Sequence, residues 1–184
     1  MQTDIVIAGF GGQGVMFAGQ LLAYTAMDAS KEVTWFPSYG PEMRGGTANC
    51  TIIIGDEEIG SPMVRNPQVA LILNTPSLDK YEPLMQPGGL MIINRSIVGR
   101  KVERTDIDVV YLPALEMAEE IGSSRMANMV MIGAMLGKID VLPMDILIQS
   151  LADHLPEKRK NLLPLNKDAL SAGYAFVQPE RIPA

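Results

Sequence analysis

A strand-loop-helix junction near the N-terminus constrains the fold more than any other feature of the sequence. The apolar run Ile5-Val6-Ile7-Ala8 predicts a buried strand, and it leads directly into the glycine loop GFGGQG at residues 9–14. Apolar residues then recur at helical spacing and predict a helix over residues 14–29. A buried strand followed by a glycine turn and a helix predicts an α/β fold. The glycine-rich turn at the start of the helix also exposes backbone N–H groups, which attract anions.

The glycine loop has the G-x-G-x-x-G spacing of dinucleotide-binding proteins, with Gly9, Gly11 and Gly14 in the required places. Those proteins also carry an acidic residue at the end of the second strand, which binds the ribose hydroxyls. Here the second predicted strand, residues 33–36, is followed by Pro-Ser, and Glu32 lies at its start, at the opposite edge of the sheet. Three interpretations remain open: a close turn without a ligand, contact with a phosphate or another anion, and NAD or FAD binding. The missing acid weakens the last.

Strand and helix patterns alternate along the rest of the chain. The predicted strands are 3–8, 33–36, 47–54, 69–73, 90–94 and 108–112, and the later predicted helices are 77–85, 115–121, 125–138, 143–151 and 157–172. Gly55-Asp56 predicts a turn, after which residues 57–60 return as a short antiparallel edge. Apolar strands joined by helices are typical of a three-layer α/β sandwich with a mainly parallel, Rossmann-like sheet. Without repeats or a linker, residues 1–184 are predicted to form one domain.

Composition excludes several classes of function. The net charge of −6 argues against a nucleic-acid partner, and the one basic cluster, residues 158–160, is interpreted as a solvated helix face. No apolar run reaches the ~18 residues of a membrane span. Met1 leads straight into a strand pattern, which predicts that there is no signal peptide and that the protein is cytoplasmic.

Residues for catalysis are missing from the pattern. The only histidine, His154, is expected at the surface, and the only cysteine, Cys50, is expected to be packed on a strand without a nearby base. There is no Gly-Asp-Gly thiamine motif and no Cys-x-x-Cys motif for an iron–sulfur cluster. We therefore predict no catalytic residue and no metal ligand, and we do not expect a complete enzyme.

A second loop, Ser-Tyr-Gly-Pro-Glu-Met-Arg-Gly-Gly at residues 38–46, is rich in glycine, proline and charge. It joins the second and third predicted strands, so it can lie beside the glycine loop at the edge where α/β sheets bind ligands. Glu42 and Arg44 can pair with each other, or Arg44 can face an anionic ligand. We interpret the loop as a shaped contact surface; the alternative is an ordinary surface turn.

Several blocks occur together in a characteristic order: GFGGQGVMFAGQLLAYTAM, VTWFPSYGPEMRGGTANC, DEEIGSP, NTPSLDKYEPLMQPGGLMIIN and the Arg-Met-Ala-Asn-Met-Val run. With them the chain resembles the γ subunits of 2-oxoacid:ferredoxin oxidoreductases over nearly its whole length. The sequence of the second loop resembles the corresponding loop of 2-oxoglutarate and branched-chain 2-oxoacid enzymes more than that of pyruvate enzymes. Of these substrates we favour 2-oxoglutarate.

The resemblance implies a division of labour among subunits. The complex converts a 2-oxo acid and coenzyme A into an acyl-CoA, carbon dioxide and reduced ferredoxin. Thiamine diphosphate with Mg belongs to the α and β subunits, and iron–sulfur clusters belong to other chains such as a ferredoxin-like δ subunit. The γ subunit, inactive alone, packs on the catalytic subunits and helps to form the coenzyme A site. The residues assigned to that site or to the subunit interface by resemblance are Gly11, Gly12, Gln13, Gly14, Tyr39, Glu42, Arg44, Gly45 and Gly46.

Two other functions remain as alternatives. One is a stand-alone Rossmann-type nucleotide-binding protein, which the glycine spacing favours and the missing ribose acid opposes. The other is an assembly module that makes no ligand contact.

Overall fold

The computed structural model of the chain describes residues 2–39 and 46–178, and at Tyr39 the backbone alone. In this part of the chain one sheet contains six strands in the order β2-β3-β1-β4-β5-β6. The strands are β1 (Gln2–Phe10), β2 (Glu32–Tyr39), β3 (Thr47–Gly55), β4 (Val69–Ile72), β5 (Leu90–Asn94) and β6 (Asp108–Leu112). The helices are α1 (Val15–Asp28), α2 (Thr75–Tyr81), α3 (Ala114–Ile121), α4 (Ala127–Lys138), α5 (Met144–His154) and α6 (Leu163–Val177). Short 3₁₀ turns occupy Glu82–Leu84, Ser124–Met126 and Glu157–Leu162.

The sheet is mixed. β1, β4, β5 and β6 run parallel, whereas β3 runs antiparallel to both of its neighbours, β1 and β2. The predicted α/β fold with a mainly parallel sheet and an antiparallel edge is confirmed.

The predicted strand at residues 57–60 is wrong. Residues 56–60 form no strand. β3 already pairs along its length with β1 on one side and with β2 on the other, so no free edge of β3 remains for a returning strand. The antiparallel edge is built by β2 and β3 instead.

Helices cover the two faces of the sheet unequally. Ile5, Ile7 and Ile52 pack into a large core beneath α1, α3, α4, α5 and α6. On the other face Val6 and Ala70 pack into a smaller core with α2 and the segment between β5 and β6. The three predicted layers are present because alternate strand residues supply the two cores.

The helix predicted at 125–138 is buried nearly all round, as its apolar pattern indicated. It starts as the 3₁₀ turn Ser124–Met126 and continues as α4, whose residues 128–136 are all buried. α4 crosses α6 at two glycines: a Cβ at Gly133 would overlap the Leu170 carbonyl, and a Cβ at Gly173 would overlap the Val130 carbonyl. The two backbones are therefore in direct contact.

Within residues 2–39 and 46–178, no helix is long and apolar enough to cross a membrane.

Candidate functional site

The glycine loop turns the chain from β1 into α1 through two left-handed residues. Gly12 has φ 95° and Gly14, the N-cap of α1, has φ 75°. No side chain caps this end of the helix, and its first turn carries no acidic residue. Because the first N–H groups of a helix have no intrahelical acceptor, the start of α1 presents backbone donors and a partial positive charge. The loop has the electrostatic properties of an anion site.

Gln13 ties the loop to the neighbouring strand. Its Oε1 accepts from the Phe10 N–H at 2.6 Å, and its Nε2 donates to the Leu73 carbonyl at 3.2 Å. The half-buried side chain thus bridges the ends of β1 and β4. These two hydrogen bonds stabilise the conformation of the glycine loop. The role of Gln13 in ligand binding stays a prediction.

The bridge lies where this topology would hold a dinucleotide. α1 packs on one face of the sheet and α2 on the other, so the chain reverses its winding between β1 and β4, and open α/β sheets bind ligands outside such a point. Gln13 spans this gap. Glu32 lies opposite Gly55, which in turn lies opposite Gln2, at the far end of the sheet from the glycine loop. The geometry therefore opposes a conventional NAD or FAD site.

A cavity of about 640 Å³ opens beside the glycine loop, between the sheet and the C-terminal helices. The sheet side comprises Phe10, Gly11, Gly12, Gly14, Val15, Met16, Phe17, Gly46, Thr47 and Ala48. The helical side comprises Arg125, Met126, Asn128, Leu155, Arg159, Leu162 and Asn166. No acidic residue of the described chain lines this cavity.

Asn128 joins the two sides of the cavity. Its Nδ2 donates to the Gly14 carbonyl at 3.2 Å, across 114 positions of sequence, and its Oδ1 accepts from the Met129 N–H at 2.9 Å. On the same side Asn166 donates from Nδ2 to the Leu162 carbonyl at 2.7 Å. Both asparagines are almost fully buried. The Asn128 bond therefore connects the helical wall to the glycine loop, and the Asn166 bond lies within the helical wall.

Sequence reasoning missed the two arginines of the helical wall. Arg159 belongs to the cluster that was interpreted as a solvated helix face, and Arg125 begins a segment interpreted only as a buried helix. Both side chains are exposed and line the cavity. No local pattern separates them from other surface arginines, because their neighbourhood is created by the packing of distant helices.

The second loop reaches the same cavity at its C-terminal end. The Gly11 N–H donates to the Gly46 carbonyl at 3.1 Å, and Gly46, Thr47 and Ala48 line the cavity. The backbone of Tyr39 pairs with Ala48. Glu42, Arg44 and Gly45, like the side chain of Tyr39, lie outside the described residues, and their assigned roles stay predictions.

Known proteins are similar to this chain in sequence and in fold. The family model described as pyruvate ferredoxin/flavodoxin oxidoreductase matches residues 4–176. The 2-oxoglutarate synthase subunit KorC of Methanocaldococcus jannaschii is 33% identical over 172 residues, which cover 91% of this chain and 92% of KorC. The chain belongs to the pyruvate ferredoxin/flavodoxin oxidoreductase family.

The chain also matches part of longer proteins of this family. The ketoisovalerate oxidoreductase subunit VorA of Methanothermobacter marburgensis is 39% identical over 135 residues, covering 73% of this chain but 28% of VorA. The chain thus spans little more than a quarter of that relative's length. The solved γ subunit of a keto/oxoacid ferredoxin oxidoreductase from Geobacter sulfurreducens has a TM-score of 0.81 at 26% identity, covering 94% of this chain and 96% of that one. The resemblance to γ subunits is confirmed.

The environments of Cys50 and His154, the only cysteine and the only histidine of the sequence, bear on catalysis. Cys50 is fully buried, and burial raises the pKa of its thiol to about 12, so the packed position expected for it is confirmed. His154 stacks on Tyr24 with ring centroids 4.1 Å apart, and its Nε2 lies 3.4 Å from Asp28 Oδ2. Ser150 donates to the same Asp28 oxygen. Because Asp28 stands between serine and histidine, this cluster is not a nucleophile–base pair.

Metal-ligating side chains do not gather in the described ranges, where no group of three or more His, Cys, Asp or Glu residues is placed to hold an ion.

Proposed function

We propose that this chain is the γ subunit of a thiamine-diphosphate-dependent 2-oxoacid:ferredoxin oxidoreductase. The complex cleaves the bond between the carboxylate and the 2-oxo carbon, releases carbon dioxide, passes the electron pair to ferredoxin and transfers the acyl group to the coenzyme A sulfur. The α and β subunits supply thiamine diphosphate and Mg, and a ferredoxin-like δ subunit supplies iron–sulfur clusters. This chain packs on the catalytic subunits and contributes to the coenzyme A site.

The cavity beside the glycine loop is the observation that carries the proposal. Coenzyme A combines anionic phosphates with an adenine ring and a long, weakly polar pantetheine arm. The cavity offers uncapped helix N–H groups at the start of α1, two arginines, and apolar surface from Phe17, Met126 and Leu162. Its volume of about 640 Å³ lies within the ~300–1,000 Å³ of small-molecule sites. The charge of the lining and the size of the cavity both suit part of a molecule of this kind.

We propose 2-oxoglutarate as the 2-oxo acid. KorC, a 2-oxoglutarate synthase subunit, is 33% identical to this chain over nearly the full length of both proteins, against 28% for the pyruvate synthase subunit PorC of Thermotoga maritima over a similar length. The 2-oxo acid reacts at the thiamine cofactor, so its selection belongs to the partner subunits.

Purification of the tagged chain from its own cells tests the assembly. We expect the thiamine-binding and cluster-binding subunits to co-purify, and we expect the complex to reduce ferredoxin only when 2-oxoglutarate and coenzyme A are both supplied. Pyruvate and the 2-oxo acid of valine serve as competing substrates. The isolated chain is the control, and we expect it to have no activity. Recovery of the chain without partners, or activity of the chain alone, would contradict the proposal.

A further inference from the structure

The helical wall of the cavity carries two arginines whose charges are not neutralised by the rest of the described chain. Arg100 bonds to Asp79 and Glu82, and Arg104 bonds to Asp106, so these arginines are committed to the fold. The guanidinium groups of Arg125 and Arg159 make no ion pair or hydrogen bond with any residue in 2–39 or 46–178, and both side chains line the cavity. Two guanidinium groups that no described residue neutralises, at one concave site, favour an anionic occupant.

We propose that Arg125 and Arg159 bind the phosphate groups of coenzyme A. This inference rests on the proposed function, and it adds a set of ligand contacts that lies more than a hundred residues from the glycine loop. The phosphates are held between two walls, the N–H groups of α1 on one side and the guanidinium groups on the other. The C-terminal helical layer thereby sets the affinity for coenzyme A.

The position of each arginine supports this role. Arg125 lies in the 3₁₀ turn Ser124–Met126, three residues before Asn128, whose side chain bonds to Gly14 in the glycine loop. Arg159 lies in the 3₁₀ turn Glu157–Leu162, which ends at the carbonyl that Asn166 binds. Each arginine therefore lies in a short 3₁₀ turn that precedes a helix whose first turn carries a buried, hydrogen-bonded asparagine. A planar guanidinium suits phosphate because it can donate two parallel hydrogen bonds.

The basic cluster itself supplies a matched control. Lys158 precedes Arg159 and is exposed but does not line the cavity, and Lys160 pairs with Glu157. Lys158→Gln and Arg159→Gln change the net charge equally. If the two positive charges act only at long range, both variants should raise the KM for coenzyme A. If Arg159 contacts a phosphate, only Arg159→Gln should raise it.

The test uses the reconstituted complex with Arg125→Gln, Arg159→Gln, Arg159→Lys or Lys158→Gln in this chain. We expect each arginine-to-glutamine change to raise the KM for coenzyme A about tenfold, equivalent to about 1.4 kcal/mol, with kcat nearly unchanged. Arg159→Lys should fall between Arg159→Gln and the wild type, and Lys158→Gln should stay within twofold of the wild type. Thermal unfolding of each variant checks that the fold is retained.

A fifth variant separates this inference from the proposed function. Met16 lines the opposite wall in the first turn of α1, where a carboxylate is favourable for the helix but repels an anionic ligand. If Met16→Glu raises the KM for coenzyme A while both arginine-to-glutamine variants stay within twofold, the cavity binds coenzyme A and the role of the arginines is wrong. If all three leave the KM unchanged, the cavity is not the coenzyme A site, and both the role of the arginines and the proposed contribution of this cavity to coenzyme A binding are wrong, whereas co-purification tests the assembly separately.

Discussion

Glu82 is a charged residue that the fold buries and satisfies completely. Its side chain is 7% exposed, and its Oε1 accepts from the Glu103 and Arg104 N–H groups while Oε2 accepts from Arg100 at 2.6 Å. These bonds pin residues 100–104 against the end of α2. Burial opposes ionisation, but the bond from Arg100 and the two backbone donors outweigh it and hold the pKa of Glu82 below its ordinary value of 4.5.

Replacing Glu82 with glutamine should make stability depend less on pH. Because the folded pKa lies below the unfolded one, the carboxylate stabilises the fold above the unfolded pKa and loses this contribution as pH falls through the folded pKa. We expect Glu82→Gln to lower the free energy of unfolding by about 2–3 kcal/mol at pH 7, and the gap to the wild type to narrow below about pH 4.5. Urea unfolding across this range measures it.

Glu119→Gln, an exposed change of the same chemistry, is the control for Glu82→Gln and should change stability by less than about 0.5 kcal/mol. If the difference in the free energy of unfolding between the wild type and Glu82→Gln does not change with pH, the shape of the Glu82 side chain, and not its charge, stabilises the fold.

At the scale of elements, the contact between α4 and α6 sets the geometry of the helical layer. Gly133 and Gly173 let the two backbones touch, and Asn166, at the N-terminal end of α6, lines the cavity. The helix crossing therefore determines how far the helical wall stands from the glycine loop.

Alanine at either glycine should be poorly tolerated. The added Cβ meets a backbone carbonyl that cannot move aside, so we expect Gly133→Ala and Gly173→Ala each to lower the free energy of unfolding by about 3 kcal/mol or more. Gly99→Ala provides the matched control, because a Cβ there meets no atom within 4 Å and should cost about 0.5 kcal/mol or less. Chemical denaturation compares the three. Losses at Gly133 and Gly173 no larger than the loss at Gly99 would show that the crossing tolerates a Cβ, because alanine otherwise favours a helix and lowers the entropy of the unfolded chain.

At the scale of the whole molecule, the sheet order decides which ligands fit. A dinucleotide-binding fold places a second parallel strand beside the first, and its terminal acid reaches the ribose. Here β3, running antiparallel, occupies that position, and β2 is pushed to the outer edge. The gap between β1 and β4 is bridged by Gln13. The cavity lies instead on the face covered by α1, α4 and α6.

Calorimetric titration of the isolated chain should therefore detect no tight binding of NAD or FAD, because Glu32 lies at the far end of the sheet and Gln13 spans the gap. Coenzyme A is titrated in parallel under identical conditions and should bind more tightly than either dinucleotide. A micromolar or lower Kd for NAD would instead support the stand-alone nucleotide-binding alternative.

Much of the architecture could be read from local pattern. The boundaries of β5 and β6 agree with prediction, and β1, α1 and β3 agree within about two residues, because the alternation of apolar residues reports burial directly. The strand predicted at 57–60 failed for a non-local reason, since pairing with β1 and β2 leaves β3 without a free edge. Pairing partners are a property of the sheet and leave no signature within a short segment.

The candidate site divides along the same line. Gly12 and Gly14 could be predicted because a left-handed turn before a helix requires glycine, which is a local constraint. Their placement beside Arg125, Asn128 and Arg159 depends on helices that follow more than a hundred residues later. Periodicity specifies which face of each helix is buried but not which loop it meets. The glycine spacing by itself therefore determined the turn and its exposed N–H groups, whereas tertiary packing decided that two arginines would face them, because that meeting depends on sheet order and helix crossing.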